Sequence, residues 1–185
     1  MNTEEQQAVE AVRATFERVV SEGLRAESVA GASDEEIDAM AAAQGVDRVP
    51  AAVREVLRHI GVRNGLWLGG TALGVHRIGE KQKRNALATL AQLGGNPFVD
   101  AEGMLVLTEH QAYTYDVVDG ADLDRADPPV WVISEGEYAE VRWPGVTNWF
   151  EGNAPSAAEY RSRLRVLRGL GKTRLPPWAA DIRTD

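Results

Sequence analysis

Cysteine is absent from the 185 residues, which excludes disulfides, thiolate metal centres and cysteine nucleophiles together. Histidine is scarce, and His59, His76 and His110 fall on different predicted elements. No His-x-x-x-His or Glu-x-x-His pair occurs, so the sequence offers no metal-ligand set. No Gly-x-Ser-x-Gly elbow frames a serine. No apolar run approaches the ~20 residues that a bilayer span needs. Residues Met1 to Gln7 are polar and acidic, unlike a secretory leader. These absences disfavour catalysis, and we expect a cytoplasmic protein without metal, cofactor or membrane partner.

What is present is ordinary globular material, 44% hydrophobic and 26% charged, in a length suited to one domain with a helical appendage. The net charge of -8 is unevenly placed. From Arg161 to Asp185 there are seven basic and two acidic residues, against thirteen basic and twenty-six acidic before them. Between Asp116 and Glu140 stand Asp116, Asp119, Asp122, Asp124, Asp127, Glu135, Glu137 and Glu140, with Arg125 as the one cation. Such a run repels phosphate backbones and attracts basic proteins, or else it solvates a loop face.

Helix signals open the chain. Thr3-Glu4-Glu5-Gln6 has capping-box spacing, followed by Val9, Val12, Phe16, Val19 and Val20 at helical intervals up to Gly23. Ser21 to Ala32 reads as a linker or loose turn. Ser33 to Glu36 forms a second box, leading through Ile37 and Met40 towards Gly45. Pro50 suits a first helical turn, ahead of Val53, Val56, Leu57 and Ile60. Glu80 to Leu93 reads as another amphipathic helix. Ser156 to Glu159 is a third box, starting a basic helix with Tyr160, Leu164 and Leu167.

Strand signals fill the middle. Met104 to Thr108 and Ala112 to Val118, joined by polar residues, predict a hairpin, with Tyr113, Tyr115 and Val117 on one face. Asp127-Pro128-Pro129 predicts a loop into the strand Val130 to Ile133. Leu73 to Ile78 and Glu140 to Trp143 read as further strands. Thr147 is placed to cap a short helix carrying Trp149 and Phe150. Trp131 reads as core, while Trp143, at a strand end, is a candidate interface anchor.

Two motifs fail on context. Gly169-Leu170-Gly171-Lys172-Thr173 looks like the tail of a phosphate loop, but Val166 replaces the required glycine and the stretch follows a helix rather than a strand. The helix pair between Ser33 and Ile60 looks superficially like a helix-turn-helix. It holds six acids against three arginines, the wrong balance for DNA.

Val49-Pro50, Asn64-Gly65, the tyrosines Tyr113 and Tyr115, Pro129-Val130 and Trp149-Phe150 occur in an order that resembles the SUKH superfamily, over roughly Ser33 to Glu151. That family includes fungal Smi/Knr cell-wall regulators and many bacterial immunity proteins. The resemblance implies an α+β fold: one twisted, largely antiparallel sheet flanked by helices, without catalytic residues. It divides the chain into an N-terminal helix and linker (1–32), a SUKH-like domain (33–152) and a basic C-terminal helix and tail (153–185). It also implies an immunity protein that binds and neutralises a cognate toxin, frequently a nuclease. On that reading the partner is a basic protein, and Asp116, Asp119, Asp122, Asp124, Glu135, Glu137, Glu140 and Trp143 form its surface. A housekeeping scaffold or regulator of the same fold, linked to the cell wall or secretion, is the alternative, and a helix-turn-helix-like nucleic-acid binder the second.

Overall fold

The computed structural model describes residues 2–171 and 173–184. Helix α1 (Thr3–Glu22) is capped one residue earlier than the sequence suggests: the Asn2 side chain accepts from the Glu5 amide, and Glu5 accepts from the Asn2 amide. Asn is as good a cap as Thr, and this one also leaves an acidic first turn against the helix dipole. Val9, Val12 and Val19 are buried, with Phe16 packed beside them.

The stretch from Ser21 to Ala32 is not a loose linker. It contains β1 (Val29–Ala30), which pairs antiparallel with β2 (Arg63–Asn64), and a buried Leu24 bridged to Ile182. The Arg63 guanidinium donates to the Ser28 and Glu27 carbonyls, satisfying backbone that its own turn leaves open.

Helix α2 (Asp34–Ala43) carries the expected reciprocal box between Ser33 and Glu36, and Pro50 stands as the N-cap of α3 (Ala51–Ile60). Residues Leu66 to Leu68 form turns, and the strand expected from Leu73 to Ile78 shrinks to β3 (Ala72–Leu73). The reason is non-local. Gly74 turns at φ +100° close against the Gly61 carbonyl, which accepts from Val75, so the chain leaves the sheet there.

After α4 (Glu80–Ala91), β4 (Leu105–His110), β5 (Thr114–Val118), β6 (Val130–Ser134) and β7 (Tyr138–Trp143) follow one another. The sheet order is β3-β4-β5-β6-β7, each neighbour antiparallel, which makes the protein α+β as expected. Adjacent residues of a strand face opposite ways. Tyr115 lies beside Thr89 of α4, whereas Asp116 accepts from Trp149 of α5 (Val146–Gly152). Helices therefore cover both faces: α4 on one, and α5 with α3 and α1 on the other.

Thr147 is the second residue of α5 rather than its cap. Its amide and hydroxyl both donate to Asp127, at 3.0 and 2.6 Å, so a carboxylate from the preceding loop does the capping. Helix α6 (Ala157–Gly169) starts at Ser156, whose hydroxyl accepts from Glu159. The phosphate-loop-like stretch includes Lys172, which lies outside the described residues; before it, α6 ends and the chain turns at Leu170 and Gly171.

The core is one continuous cluster from Val12 and Val19 through Ile37, Ile60 and Tyr115 to Phe150 and Ile182. Phe16 stacks on His59 and Trp67, and Trp67 stacks on Phe150, at centroid distances of 4.3, 5.9 and 5.0 Å. Trp131 is only partly buried, leaning on Phe98 at 4.7 Å.

Candidate partner-binding surface

The eight residues expected to form one surface are dispersed by the sheet. Asp119 is 2% exposed and points inward, accepting from the amides of Val99, Asp100 and Ala121. Three charge-assisted bonds of this kind fix the loop before β4 onto the end of β5. Asp116 lies under α5, where its carboxylate accepts from the Thr108 hydroxyl at 2.8 Å and the Trp149 indole at 3.1 Å. Burial raises its pKa, against the opposing effect of those two bonds and of Arg142 and His110 nearby. Both carboxylates are engaged within the fold, Asp119 buried and Asp116 partly so.

Asp122 and Asp124 sit in the β5–β6 loop and are ion-paired, with Arg125 at 3.2 Å and Arg48 at 2.5 Å respectively. Glu135 and Glu137 are exposed in the β6–β7 turn, at the other end of the sheet. The five residues of β6 separate these two groups, roughly 15 Å at the rise of an extended strand. Glu140 is exposed midway along β7. Trp143 returns to the first end and packs over Gly152 of α5, so close that a Cβ there would collide with its ring. It is half-buried against α5.

The end of the sheet bearing Glu135 and Glu137 has features that sequence alone does not assemble. The β4–β5 connection runs over Gln111, Ala112 and Tyr113, with Gln111 at φ +52° and Ala112 at +65° and the Tyr113 amide donating to the His110 carbonyl. Two positive φ values define the turn that matches strand twist, a geometry ordinarily supplied by Asn-Gly. Here the Tyr115 hydroxyl holds it by donating to the Ala112 carbonyl at 2.7 Å. Tyr113 is thereby lifted out of the strand and stands 42% exposed, edge-on to His110. His110 Nδ1 meets the Thr71 hydroxyl at 3.0 Å, and the Glu135 amide donates to the Tyr113 carbonyl, tying the two turns together. The expectation that Tyr113 shares the inner face of Tyr115 fails because the turn intervenes.

Some acids elsewhere are matched: Asp34 and Asp38 with Arg54 and Arg58, and buried Glu55 with Arg13 at 2.6 Å. Glu135 and Glu137 have no ion-pair partner among the described residues; Glu137 accepts only from the Ser134 hydroxyl. The result is an end carrying two carboxylates without ion pairs among the described residues and an exposed phenol ring.

Other candidate sites are less coherent. The three histidines do not meet: His59 sits beside Glu55, His76 beside Glu36, and His110 beside Thr71. Among the described residues no group of three His, Cys, Asp or Glu is placed to hold a metal ion. Helix α3, the recognition helix of the helix-turn-helix alternative, is buried along Ala52, Val53, Val56, Leu57 and Ile60, and its Arg54 and Arg58 face carboxylates. No helix of the described residues is long and apolar enough to cross a membrane. Comparison with protein-family models, with curated proteins and with solved structures returns no match.

Proposed function

We propose that this chain is a non-catalytic cytoplasmic binding protein of the immunity kind, which neutralises a basic partner, a nuclease-type toxin, by occupying its surface. The observation that carries this reading is the pair Glu135 and Glu137, exposed and without ion pairs among the described residues, beside exposed Tyr113. A nuclease presents a basic surface to its substrate, and an acidic protein with a preformed aromatic and carboxylate patch competes for it. The turns that carry the patch are bonded to each other, so little ordering entropy is lost on binding. The order of elements that resembles the SUKH superfamily supports the same reading. Relative to the surface read from sequence, the site contracts to the β6–β7 turn and Tyr113.

The experiment is affinity capture of the partner from the native host, followed by calorimetry of the purified pair across a salt series. The reading requires a basic partner whose affinity falls as salt rises. It further requires that Glu135→Lys and Glu137→Lys combined with Tyr113→Ala weaken binding. A single rim charge is worth only ~0–1 kcal/mol, hence the combination. A salt-insensitive complex, or full affinity in the triple variant, would rule the site out.

A further inference from the structure

The two edges of the main sheet are unlike. β3 offers two residues, whereas β7 offers six, and no described strand pairs along its outer side. Outward-pointing amides and carbonyls on such an edge accept any strand presented to them. Proteins commonly blunt an edge with charged side chains, proline, a bulge or a covering element. Pro144 lies beyond the end of β7, and its centre is the sequence Glu140-Val141-Arg142. All three are exposed, Val141 by 48%. Neither Glu140 nor Arg142 has an ion pair among the described residues; Arg142 makes one long contact, 3.5 Å, to the Tyr138 hydroxyl. That contact puts Tyr138 and Arg142 on the face of Glu140, while Val141 lies on the other, beside Trp131; Val130 pairs with Trp143, so Arg142 is the extra residue of a bulge.

We infer that β7 pairs with the β7 strand of a second copy of this chain, antiparallel about Val141, forming a two-fold dimer with one continuous sheet. Charge complementarity selects this occupant. In that register Glu140 stands opposite the second copy's Arg142, and symmetry repeats the pair. Val141 meets its own counterpart on the opposite face and loses its exposure. Moving the axis by one residue sets Glu140 against Glu140, or Arg142 against Arg142, and cross-strand like charges are unfavourable. The sequence thus discriminates between registers, and the interface is isologous, the commonest closed arrangement. In this register Tyr138 stands opposite the second copy's Pro144, so each β6–β7 turn lies at one end of the interface. The inference does not rest on the proposed function.

Sedimentation equilibrium of the full chain over roughly 1–500 µM, the range suited to a weak interface, tests it. The expected result is a reversible monomer–dimer equilibrium. Glu140→Arg alone and Arg142→Glu alone should each weaken the dimer by about tenfold, because each sets two like-charge pairs opposite one another. The double exchange restores association to near the original strength, since the pairs re-form with signs reversed. Val141→Lys abolishes it. Hydrogen exchange supplies a second measure, as the outward amides of β7 become protected with rising concentration. A monomer across the whole range overturns the inference, as does a double exchange no stronger than either single variant. Protection of β7 only on adding a lysine-rich extended peptide would also overturn it, by assigning the edge to another chain.

Discussion

The side chain of Gln44 does the work of a missing strand for Val106: it accepts from the Val106 amide at 2.9 Å and donates to the Val106 carbonyl at 3.2 Å. β3 covers only the Thr108–Glu109 part of β4, so the outer edge of β4 has no backbone partner at Val106. Gln44 itself is held by the ammonium of Lys83, which donates to its carbonyl at 2.6 Å.

Replacing Gln44 with Leu should accordingly be costly despite the apolar surroundings. Both backbone groups of Val106 lose their partners while buried, and each such loss costs ~1–3 kcal/mol. The expected destabilisation is ~2–4 kcal/mol, read as a fall in urea midpoint at unchanged slope. A variant as stable as the parent would mean that water replaces the amide at that edge.

Acid should weaken the seam between α1 and α3. Burial raises the Glu55 pKa, but hydrogen bonds from Arg13 and Arg58 outweigh it and hold the carboxyl below its ordinary value. Burial depresses His59, against the pull of Glu55. In both cases the unfolded chain binds the proton more readily, so stability is complete at neutral pH and is lost as pH falls, through His59 below 6.5 and through Glu55 below 4.5. Asp116 has the opposite sign: burial raises it, so its contribution is complete below 3.8 and fades as pH rises through its folded value. Denaturation between pH 4 and 8 should show a shallower acid limb in His59→Phe, which keeps a ring against Phe16. Asp116→Asn should gain stability relative to the parent on the neutral side alone. Identical pH profiles for all three proteins would refute the assignment.

Ala112→Gly should stabilise the protein. A left-handed conformation costs an L-residue roughly 1–2 kcal/mol, and glycine escapes most of that at some expense in chain entropy. The net expectation is a gain of ~0.5–1 kcal/mol by thermal or urea denaturation. Destabilisation instead would show that the Ala112 methyl group makes contacts worth more than the backbone relief.

How much of this was legible in the sequence depended on how local each cause is. The apolar runs that predict β4, β5 and β6 are a property of a few adjacent residues, as is the box from Ser33 to Glu36. The hairpin was legible while its turn was not, because neither Gln111 nor Ala112 advertises a positive φ. The strand after Leu73 was over-read because its stop lies in the Gly61 carbonyl, brought there by α3. The acidic run from Asp116 to Glu140 is dense along the chain yet divided in space. β6 carries its two halves to opposite ends of the sheet, and Asp119 is drawn inward by amides some twenty residues earlier. A triple reversal that included Asp119 would break a loop before it tested any interface.

The sheet's sequential order also has a bearing on how the chain acquires its shape. Each strand from β4 to β7 pairs with the one before it, so the hairpins from β4 onward can close as soon as their residues exist, and short closures are fast. The bridge between Leu24 and Ile182 is of another kind. With the Arg183 guanidinium on the Val20 and Ser21 carbonyls, it closes nearly the whole length of the chain. During synthesis the end of α1 must wait, its apolar face uncovered by that segment, until Ile182 and Arg183 have left the ribosome. This contact therefore latches a late segment onto an early helix.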